Sequence, residues 1–260
     1  MNEYTPDIDY SDLKLEGLAP EQMHQIGNDY ANGTNGKEED LELAKKYYHA
    51  AADRGYIDSQ FNLAGIYYRD EEPDFQRAFY WSKKAADAGD PESKYRLGTM
   101  YFAGDGVEKD AGQALQCFEA AGRAGCADAW WFAGSVYFDG VDVPCDNEKA
   151  FDCFSRAVES GDTDLQNISK GYLGILYFNG DGTKQDYQKA LDCFLCATEA
   201  DGSFIQHVSQ YYLGRLFLEG KGVKQDYNTA REWFEKAANA GHRESLDKLH
   251  EMYETGKEQP

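Results

Sequence analysis

The segment YYLGRLFLEGKGVKQDYNTAREWFEKAANAG, Tyr211–Gly241, predicts two short helices joined by a glycine-containing turn. The apolar positions are Leu213, Gly214 and Phe217 before the turn and Ala230, Trp233, Ala237 and Ala238 after it. Nearly the same pattern returns in Tyr95–Gly125 and in Gly171–Gly202. Self-similarity with a period of about 33 to 40 residues is typical of a solenoid built from helical repeats.

The first helix of each repeat contains a glycine that is followed three residues later by an aromatic ring. The pairs are Gly27 and Tyr30, Gly65 and Tyr68, Gly98 and Tyr101, Gly134 and Tyr137, Gly174 and Tyr177, and Gly214 and Phe217. Residues with this spacing share one face of a helix. Because glycine costs a helix roughly 0.5–1 kcal/mol relative to alanine, its recurrence predicts that the second helix approaches closely at this point.

The second helix of each repeat is marked by an alanine, which is followed at the third position by Tyr, Trp or Cys. These alanines are Ala44, Ala78, Ala114, Ala150, Ala190 and Ala230, and their spacing increases by four residues in the last two repeats. The increase predicts an extra turn on the first helix or a longer connection. The segment Ser245–Gly256 matches a first helix alone, which predicts a helix that caps the array.

The sequence therefore predicts a single solenoid domain over residues 20–256, preceded by a flexible acidic lead-in over 1–19 and followed by a tail over 257–260. The expected repeats cover 20–55, 56–89, 90–125, 126–161, 162–202 and 203–241, and the cap covers 242–256. The turns of the first two repeats, Asn32–Asp40 and Arg69–Gln76, depart from the pattern of the others.

The pattern L-G-x-x-Y-x-x-G-x-G-V-x-x-D-x-x-x-A-x-x-W-x-x-K-A-A-x-x-G resembles the Sel-1-like repeat family, which is related to the tetratricopeptide repeats. The residues that match it are Leu213, Gly214, Phe217, Gly220, Gly222, Val223, Asp226, Ala230, Trp233, Lys236, Ala237, Ala238 and Gly241. The resemblance implies an all-α fold, a right-handed α-α superhelix whose first helices line a concave surface. It also implies a scaffold or adaptor in complex assembly and signalling, often in bacteria.

The charge of the chain restricts the classes of partner that it can bind. The sequence contains 26 Lys and Arg against 47 Asp and Glu, which gives a formal net charge of −21. Since nucleic-acid binding depends on basic residues, we expect neither nucleic acid nor an anionic membrane as partner, but a protein surface that is basic or apolar. No export signal and no apolar run of about 18 residues are visible. We therefore expect a cytoplasmic protein with reduced cysteines. A monomer is the expected oligomeric state.

Elements that resemble phosphate-binding loops have a simpler interpretation. The Gly-x-Gly elements that begin at Gly104, Gly180 and Gly220 recur with the repeat and lack the preceding strand that a dinucleotide fingerprint requires. The sequence favours turns between helices, with Asp186 and Asp226 stabilising the turn or capping the helix that follows.

Metal binding and catalysis are not predicted either. Cys193 and Cys196 form a single C-x-x-C pair, whereas structural zinc needs four ligands. Because Cys193 occupies the position of Trp81 and Trp233 in other repeats, core packing is favoured. The five histidines show no metal-binding spacing, and we expect no metal, no cofactor and no enzymatic activity.

A stripe on the first helices is the candidate binding surface. It consists of the positions three before, one after and four after each glycine, which share one helix face. In repeats three to six, apart from Gly171, these are Tyr95, Thr99, Phe102, Trp131, Ser135, Phe138, Ile175, Phe178, Tyr211, Arg215 and Leu218, and in repeats one and two they are His24, Asn28, Ala31, Asn62, Ile66 and Arg69. Because aromatic residues dominate binding hot spots, repeats three to six predict a partner-binding groove. The alternative for the phenylalanines is burial between neighbouring first helices, whereas Tyr95, Trp131 and Tyr211 are expected to face the groove.

The favoured function is a non-catalytic scaffold that holds an extended or helical, basic segment of a partner protein in this groove. An alternative is an inhibitor or immunity protein that masks a toxin or effector, since the negative charge favours fast association with a basic target. A less favoured alternative, implied by cysteine-rich members of the family, is a β-lactam-binding or β-lactam-hydrolysing enzyme. Neither Ser82 nor Ser155 is followed at the third position by the lysine that this serine chemistry uses.

Overall fold

A computed structural model of the chain describes residues 9–200 and 203–256. Over these ranges the chain forms thirteen α-helices and no strand. The helices are α1 (Pro20–Asn32), α2 (Leu41–Ala52), α3 (Ile57–Arg69), α4 (Phe75–Asp87), α5 (Pro91–Ala103), α6 (Ala111–Arg123), α7 (Ala127–Asp139), α8 (Asn147–Ser160), α9 (Thr163–Asn179), α10 (Tyr187–Ala197), α11 (Phe204–Glu219), α12 (Tyr227–Asn239) and α13 (Arg243–Glu254). The predicted all-α array of six helical pairs and a last single helix is confirmed.

The helices belong to two compact units, Met1–Cys126 with α1 to α6 and Ala127–Pro260 with α7 to α13. Within each unit the two helices of a pair pack against each other, and each second helix packs against the first helix of the following pair. The division falls one residue beyond the predicted end of the third repeat. None of the described helices is long and apolar enough to span a bilayer.

Residues 9–19 contact the first helical pair. The hydroxyl of Tyr10 donates a hydrogen bond to the carboxylate of Asp53 at 2.9 Å, and Leu15 and Leu18 pack against buried residues of α1 and α2. The described part of the predicted lead-in is therefore docked. The rest of that prediction, residues 1–8, and the predicted tail, residues 257–260, lie outside the described residues.

An aspartate precedes the first residue of every second helix and caps it. The caps are Asp40, Asp74, Asp110, Asp146, Asp186 and Asp226, and each carboxylate accepts a hydrogen bond from a backbone N–H of the first turn. Such a cap stabilises a helix by about 1 kcal/mol relative to alanine. The predicted capping by Asp186 and Asp226 is confirmed.

The Gly-x-Gly elements form the turns between the helices of a pair. The first helices α5, α9 and α11 end at Gly104, Gly180 and Gly220, which adopt left-handed conformations that glycine accepts without strain. A Cβ atom on Gly106 would overlap the backbone carbonyl of Phe75. The predicted turns between helices are therefore confirmed, and the structure adds that this turn rests directly on the preceding second helix.

The glycine of the first helix makes room for an aromatic ring from the second helix. Ring atoms of Tyr48, Phe118, Phe154, Phe194 and Phe234 lie 2.6–2.8 Å from the position that a Cβ would take on the glycine of the same pair. This arrangement confirms the predicted close approach. The inserted ring stands four residues after the repeat alanine, and the four phenylalanines are fully buried, whereas the sequence pattern had emphasised the position three residues after the alanine.

The four-residue insertions of the last repeats lie in the first helices. The helices α9 and α11 contain 17 and 16 residues, against 13 residues in α1, α3, α5 and α7. Of the two expectations, an extra helical turn is therefore the one realised. The last helix, α13, places Met252 against Ala230 and Phe234, so that it covers the apolar face of the sixth pair.

Candidate functional site

The first two repeats form a cleft on the predicted stripe. In the unit Met1–Cys126, a cleft of about 610 Å³ lies along α1 and α3 and reaches α5. Its lining includes five stripe positions and one residue of α5, namely Asn28, Ala31, Asn62, Ile66, Arg69 and Arg96. We call this feature the Arg96 cleft.

The second unit contains a regular aromatic stack at the repeat positions that differ beside the Arg96 cleft. Phe154 stacks on Tyr172 with ring centroids 4.7 Å apart and planes 12° apart, and Phe194 stacks on Tyr212 at 5.0 Å and 12°. Each tyrosine stands two residues before the glycine of the following repeat. In these repeats, a phenylalanine therefore fills the space beside its glycine and a tyrosine of the next pair covers it.

The second and third repeats lack both rings of this stack. Ser82 takes the place of the phenylalanine and Arg96 takes the place of the tyrosine. The guanidinium nitrogens of Arg96 lie 3.7 and 3.9 Å from the position that a Cβ would take on Gly65. The Arg96 side chain thus lies in the space that an aromatic ring fills in the other pairs, while Ser82 is fully buried.

Arg96 is held in place without being neutralised. Its Nη1 donates a hydrogen bond to the Phe61 carbonyl at 2.9 Å, and its guanidinium lies 4.1 Å from the centroid of the Phe61 ring. Burial lowers the pKa of Arg96, and the positive charge of Arg69 acts in the same direction, whereas the carboxylates of Asp90 and Glu92 act against this shift. Within the described part of the chain, neither guanidinium forms a salt bridge with a carboxylate.

A hydrogen-bonded network joins α1, α2 and α3 beside the cleft. The Tyr48 hydroxyl donates to Asn28 Oδ1 at 2.8 Å, and Asn28 Nδ2 lies 3.1 Å from His24 Nε2. Since Nδ2 is a donor, Nε2 accepts, and the His24 proton resides on Nδ1, which donates to Ser59 Oγ at 2.9 Å. Burial lowers the pKa of His24, partly offset by Asp58, so the network contains a neutral imidazole.

The rim beside the cleft is acidic. Asp58, Asp90 and Glu92 line an adjoining recess of about 380 Å³ that also contains His24 and Asn62. The cleft itself is lined by Arg69 and Arg96 and by Asp70 and Glu71, so that groups of both charges are available to one ligand.

The predicted groove residues of the third repeat lie partly exposed on α5. Tyr95 packs against the Phe118 ring with centroids 6.0 Å apart, and Thr99 donates its hydroxyl to the Arg96 carbonyl at 2.7 Å. Phe102 lies beneath the Lys109 ammonium at 5.6 Å. These contacts leave each side chain partly exposed. The groove role of Tyr95 stays a prediction.

In the second unit, the predicted phenylalanines pack between neighbouring first helices. Phe178 is only 4% exposed and contacts Tyr212 of the next first helix with centroids 5.0 Å apart. Phe138 likewise contacts Tyr172 at 5.5 Å. Phe178 is therefore buried between first helices, which is the alternative given above for the phenylalanines. Phe138 is half-buried.

Trp131 and Ser135 of α7 also make contacts within their unit. The Trp131 ring packs edge-on against Phe132 at 4.8 Å and lies 6.5 Å from Tyr172. Ser135 donates its hydroxyl to the Phe132 carbonyl at 2.9 Å. Both side chains are half-buried, and their predicted groove role stays a prediction.

The remaining predicted groove residues of the second unit make contacts within the last helical pairs. Tyr211 contacts the imidazole of His242 with centroids 4.8 Å apart. Arg215 lies 4.6 Å from the Phe178 ring centroid, and Leu218 packs in the cluster that α13 closes. Ile175 packs against the core of the fifth and sixth repeats.

The thiol of Cys193 is not activated. Cys193 and Cys196 are free thiols, and burial raises the pKa of Cys193 to about 12, with Cys196 adding to the effect. A thiol with so high a pKa is a weak nucleophile and metal ligand at neutral pH. Across residues 9–200 and 203–256, no group of three His, Cys, Asp or Glu side chains is placed to hold a metal ion.

The serine-lysine spacing of β-lactam-binding enzymes does occur, at Ser11–Lys14 and at Ser245–Lys248. The Ser245 hydroxyl lies 3.0 Å from His242 Nδ1 at the start of α13 and is fully buried. The Lys248 ammonium is engaged by Glu251 at 2.7 Å. Ser245 is therefore not accessible as a nucleophile, and Ser11 belongs to the exposed docked segment.

Sequence reasoning placed the candidate site in repeats three to six because the aromatic residues lie there. Arg96 was missed because it stands outside the three stripe positions. The available signal was the paired exception in the repeat alignment, in which Ser82 and Arg96 together interrupt the Phe–Tyr stack.

Comparison with known proteins agrees with the architecture. The Sel1 repeat family model matches residues 21–56, 57–90, 91–126, 127–162, 171–202 and 207–242. A Sel1 repeat protein from Oxalobacter formigenes has a crystal structure similar to this chain, with a TM-score of 0.63 and 27% identity over 91% of this chain and 66% of that one. The protective antigen c5321 of uropathogenic Escherichia coli, which displays an SLR fold, gives a TM-score of 0.56 and 26% identity over 96% of this chain and 60% of that one.

Two curated fungal proteins are similar over part of the chain. Chitin synthase regulator SKT5 of Saccharomyces cerevisiae is 31% identical over 104 residues, which are 38% of this chain and 14% of that protein. Chitin synthase regulatory factor 1 of Schizosaccharomyces pombe is 35% identical over 99 residues, 36% of this chain and 22% of that protein. The chain thus spans a small part of the length of these relatives. The six matched repeats and the array of helical pairs show that this chain belongs to the Sel1 repeat family.

Proposed function

We propose that this protein is a non-catalytic interaction module that holds a segment of a partner protein along its first helices. The observation that carries the proposal is the Arg96 cleft, since five stripe positions of α1 and α3 line one cleft of about 610 Å³. A cleft of this size accommodates a few side chains of a peptide.

The relatives support a role in interaction rather than in chemistry. Two are called regulators of chitin synthase, and another, from Mus musculus, is called DAP3-binding cell death enhancer 1 and is 32% identical over 80 residues. We infer from these names that the repeats of this chain bind protein.

The charge supports a partner segment that carries basic residues. The formal net charge is −21, and Asp58, Asp90 and Glu92 place three carboxylates beside the cleft. Association with a basic segment is therefore expected to be fast and to weaken as salt increases. We propose a monomer in the cytoplasm that binds neither nucleic acid nor membranes. Within each unit, we propose that the predicted groove residues contact the partner, namely Tyr95 in the first unit and Trp131 and Tyr211 in the second.

Selection of a displayed random-peptide library on the immobilised protein tests this function. We expect the wild type to enrich a family of related peptides and the double variant Asn62→Ala/Ile66→Ala, which trims the cleft, to lose them. The matched control is Gln113→Ala/Gln116→Ala, which trims two exposed side chains of α6 in the same unit.

Equal enrichment by the folded cleft variant and the wild type would exclude the cleft. Failure of the wild type to enrich any peptide would count against the function itself. The single variant Tyr95→Ala tests separately whether the groove extends into the third repeat.

A further inference from the structure

We infer that the Arg96 cleft binds a carboxylate group of the partner segment, an inference that rests on the proposed function. It starts from a charged side chain that stands where the same fold elsewhere places a neutral ring. The position of Arg96 is that of Tyr172 and Tyr212 in the second unit. This position of the repeat can therefore hold a tyrosine, but in the third repeat it holds an arginine.

Arg96 is an unfavourable choice for the folded protein alone. A half-buried charge without a salt bridge costs folding free energy. The like charge of Arg69 adds repulsion, which the carboxylates of Asp90 and Glu92 offset in part. The Phe61 carbonyl and ring fix the plane of the guanidinium, but neither carries a negative charge. A ligand carboxylate would supply the missing counter-charge.

The carboxylates near the cleft are engaged elsewhere or do not reach. Asp70 pairs with the Lys45 ammonium at 3.1 Å, and Asp90 accepts the Ser93 backbone N–H at 2.7 Å as the cap of α5. Glu71 lines the cleft, is exposed, and forms no salt bridge with Arg96 or Arg69 among the described residues. The guanidinium groups of Arg96 and Arg69 therefore have no salt-bridge partner among the described residues and can pair with a carboxylate from a ligand.

The geometry suits a planar anion. The guanidinium of Arg96 is a rigid fork of N–H donors, and a fork held by stacking loses little freedom when it binds a carboxylate with two parallel hydrogen bonds. Arg69 is exposed at the end of α3 and adds a second charge. The amide of Asn62 lines the same cleft.

A peptide carboxylate fits this surface better than a phosphate does. The chain carries a net charge of −21, and Asp58 and Glu92 lie in the adjoining recess. A phosphate with two charges meets about twice the repulsion of a carboxylate with one. Basic residues next to the carboxylate would contact the acidic rim, so the partner segment is one in which Asp or Glu stands between Lys or Arg residues.

Peptide pools with one fixed position test the inference. Randomised pools with a central Glu, Gln or phosphoserine, each with a free and an amidated C-terminus, are passed over the immobilised protein. We expect the wild type to retain the Glu pools about tenfold or more over the Gln pools. A preference for free C-termini would identify the terminal carboxylate as the source, and the Glu preference identifies a side chain.

The decisive variant is Ser82→Phe/Arg96→Tyr, which restores the aromatic stack of the second unit. We expect it to fold at least as stably as the wild type and to retain Glu and Gln pools within about twofold of each other. Arg123→Gln is the matched control, because it removes one positive charge from an exposed position of the same unit and should keep the preference. If the double variant does not fold, Arg69→Gln provides a second test and should weaken retention of the Glu pools.

The outcomes separate the two proposals. Equal retention of Glu and Gln pools with both kinds of C-terminus by the wild type would overturn the carboxylate site and leave peptide binding intact. A preference for the phosphoserine pool would also overturn it, in favour of a phosphate site. Retention of no pool would overturn both the inference and the proposed function, and an unchanged Glu preference in the folded double variant would place the carboxylate site away from Arg96.

Discussion

Replacing His49 with phenylalanine should remove part of the acid sensitivity of this protein. His49 lies in α2 with 1% of its surface exposed. Its Nε2 is 2.8 Å from the Tyr67 hydroxyl, and its ring meets Trp81 edge-on with centroids 5.3 Å apart. Burial, together with the positive charges of Arg77 and Lys45, lowers the pKa of His49 to about 4.

This pKa determines the sign and the size of the effect. An unfolded histidine has a pKa of about 6.5, so between that value and about 4 the unfolded chain binds a proton that the folded chain does not. The contribution of His49 is present above the unfolded pKa and is lost as the pH falls towards the folded pKa. At pH 5 the unfolded side chain is almost fully protonated and the folded one about one-tenth, which corresponds to about 2 kcal/mol less stability than at pH 7.

Urea unfolding followed by circular dichroism at pH 7 and at pH 5 measures this difference. His49→Phe keeps a buried ring and loses the hydrogen bond to Tyr67 at both pH values, so the fixed cost of the substitution cancels. The pKa values of His24 and His242 are also lowered by burial, but both residues are present in both proteins and cancel too. We expect the wild type to lose about 2 kcal/mol more than the variant between the two pH values. Losses that agree within about 0.5 kcal/mol would refute the assignment of a buried neutral imidazole.

Three further predictions concern the repeat. Gly98→Ala places a Cβ 2.6 Å from the Phe118 ring and should destabilise the protein by about 1–3 kcal/mol. Gly112→Ala, at an exposed helical position of the same repeat, places a Cβ 3.2 Å from Asp110 Oδ1 only and should change the stability by less than about 1 kcal/mol. Thermal unfolding compares the two variants. Asp226→Ala removes the cap of α12 and should cost about 1 kcal/mol of unfolding free energy in urea titrations, and an unchanged midpoint would contradict the capping role. Trp131→Ala should lower the free energy of unfolding by about 1–3 kcal/mol, because the Trp131 ring packs against the Phe132 ring with centroids 4.8 Å apart. A thermal melting curve measures this loss and should accompany any binding assay with the variant.

The parts of the fold that the sequence predicted depend on local geometry and repetition. The glycine of each first helix and the alanine of each second helix recur in register, which is enough to specify helical pairs. Asp186 and Asp226 could be predicted as caps because the hydrogen bond of an N-cap reaches only two or three residues along the chain. The spacing of the alanines predicted the four-residue insertions and left open whether they lengthen the first helix or the connection, and the structure places them in α9 and α11.

The site was harder to predict because the exposure of a side chain depends on its neighbours in the next repeat. Phe178 and Phe138 occupy the same stripe position, yet Phe178 is 4% exposed while Phe138 is half-buried. Helical periodicity gives the face on which a residue lies and says nothing of what covers that face.

The sequence alone determined the number of helical pairs, their boundaries within a few residues, the caps and turns between them, and membership of the Sel1 repeat family. Only the tertiary structure decided that the Arg96 guanidinium fills the space beside Gly65, 31 residues away along the chain. The physical reason is that close packing joins residues of different repeats. The loss of a phenylalanine at Ser82 therefore becomes meaningful only when the side chain that replaces its volume can be seen.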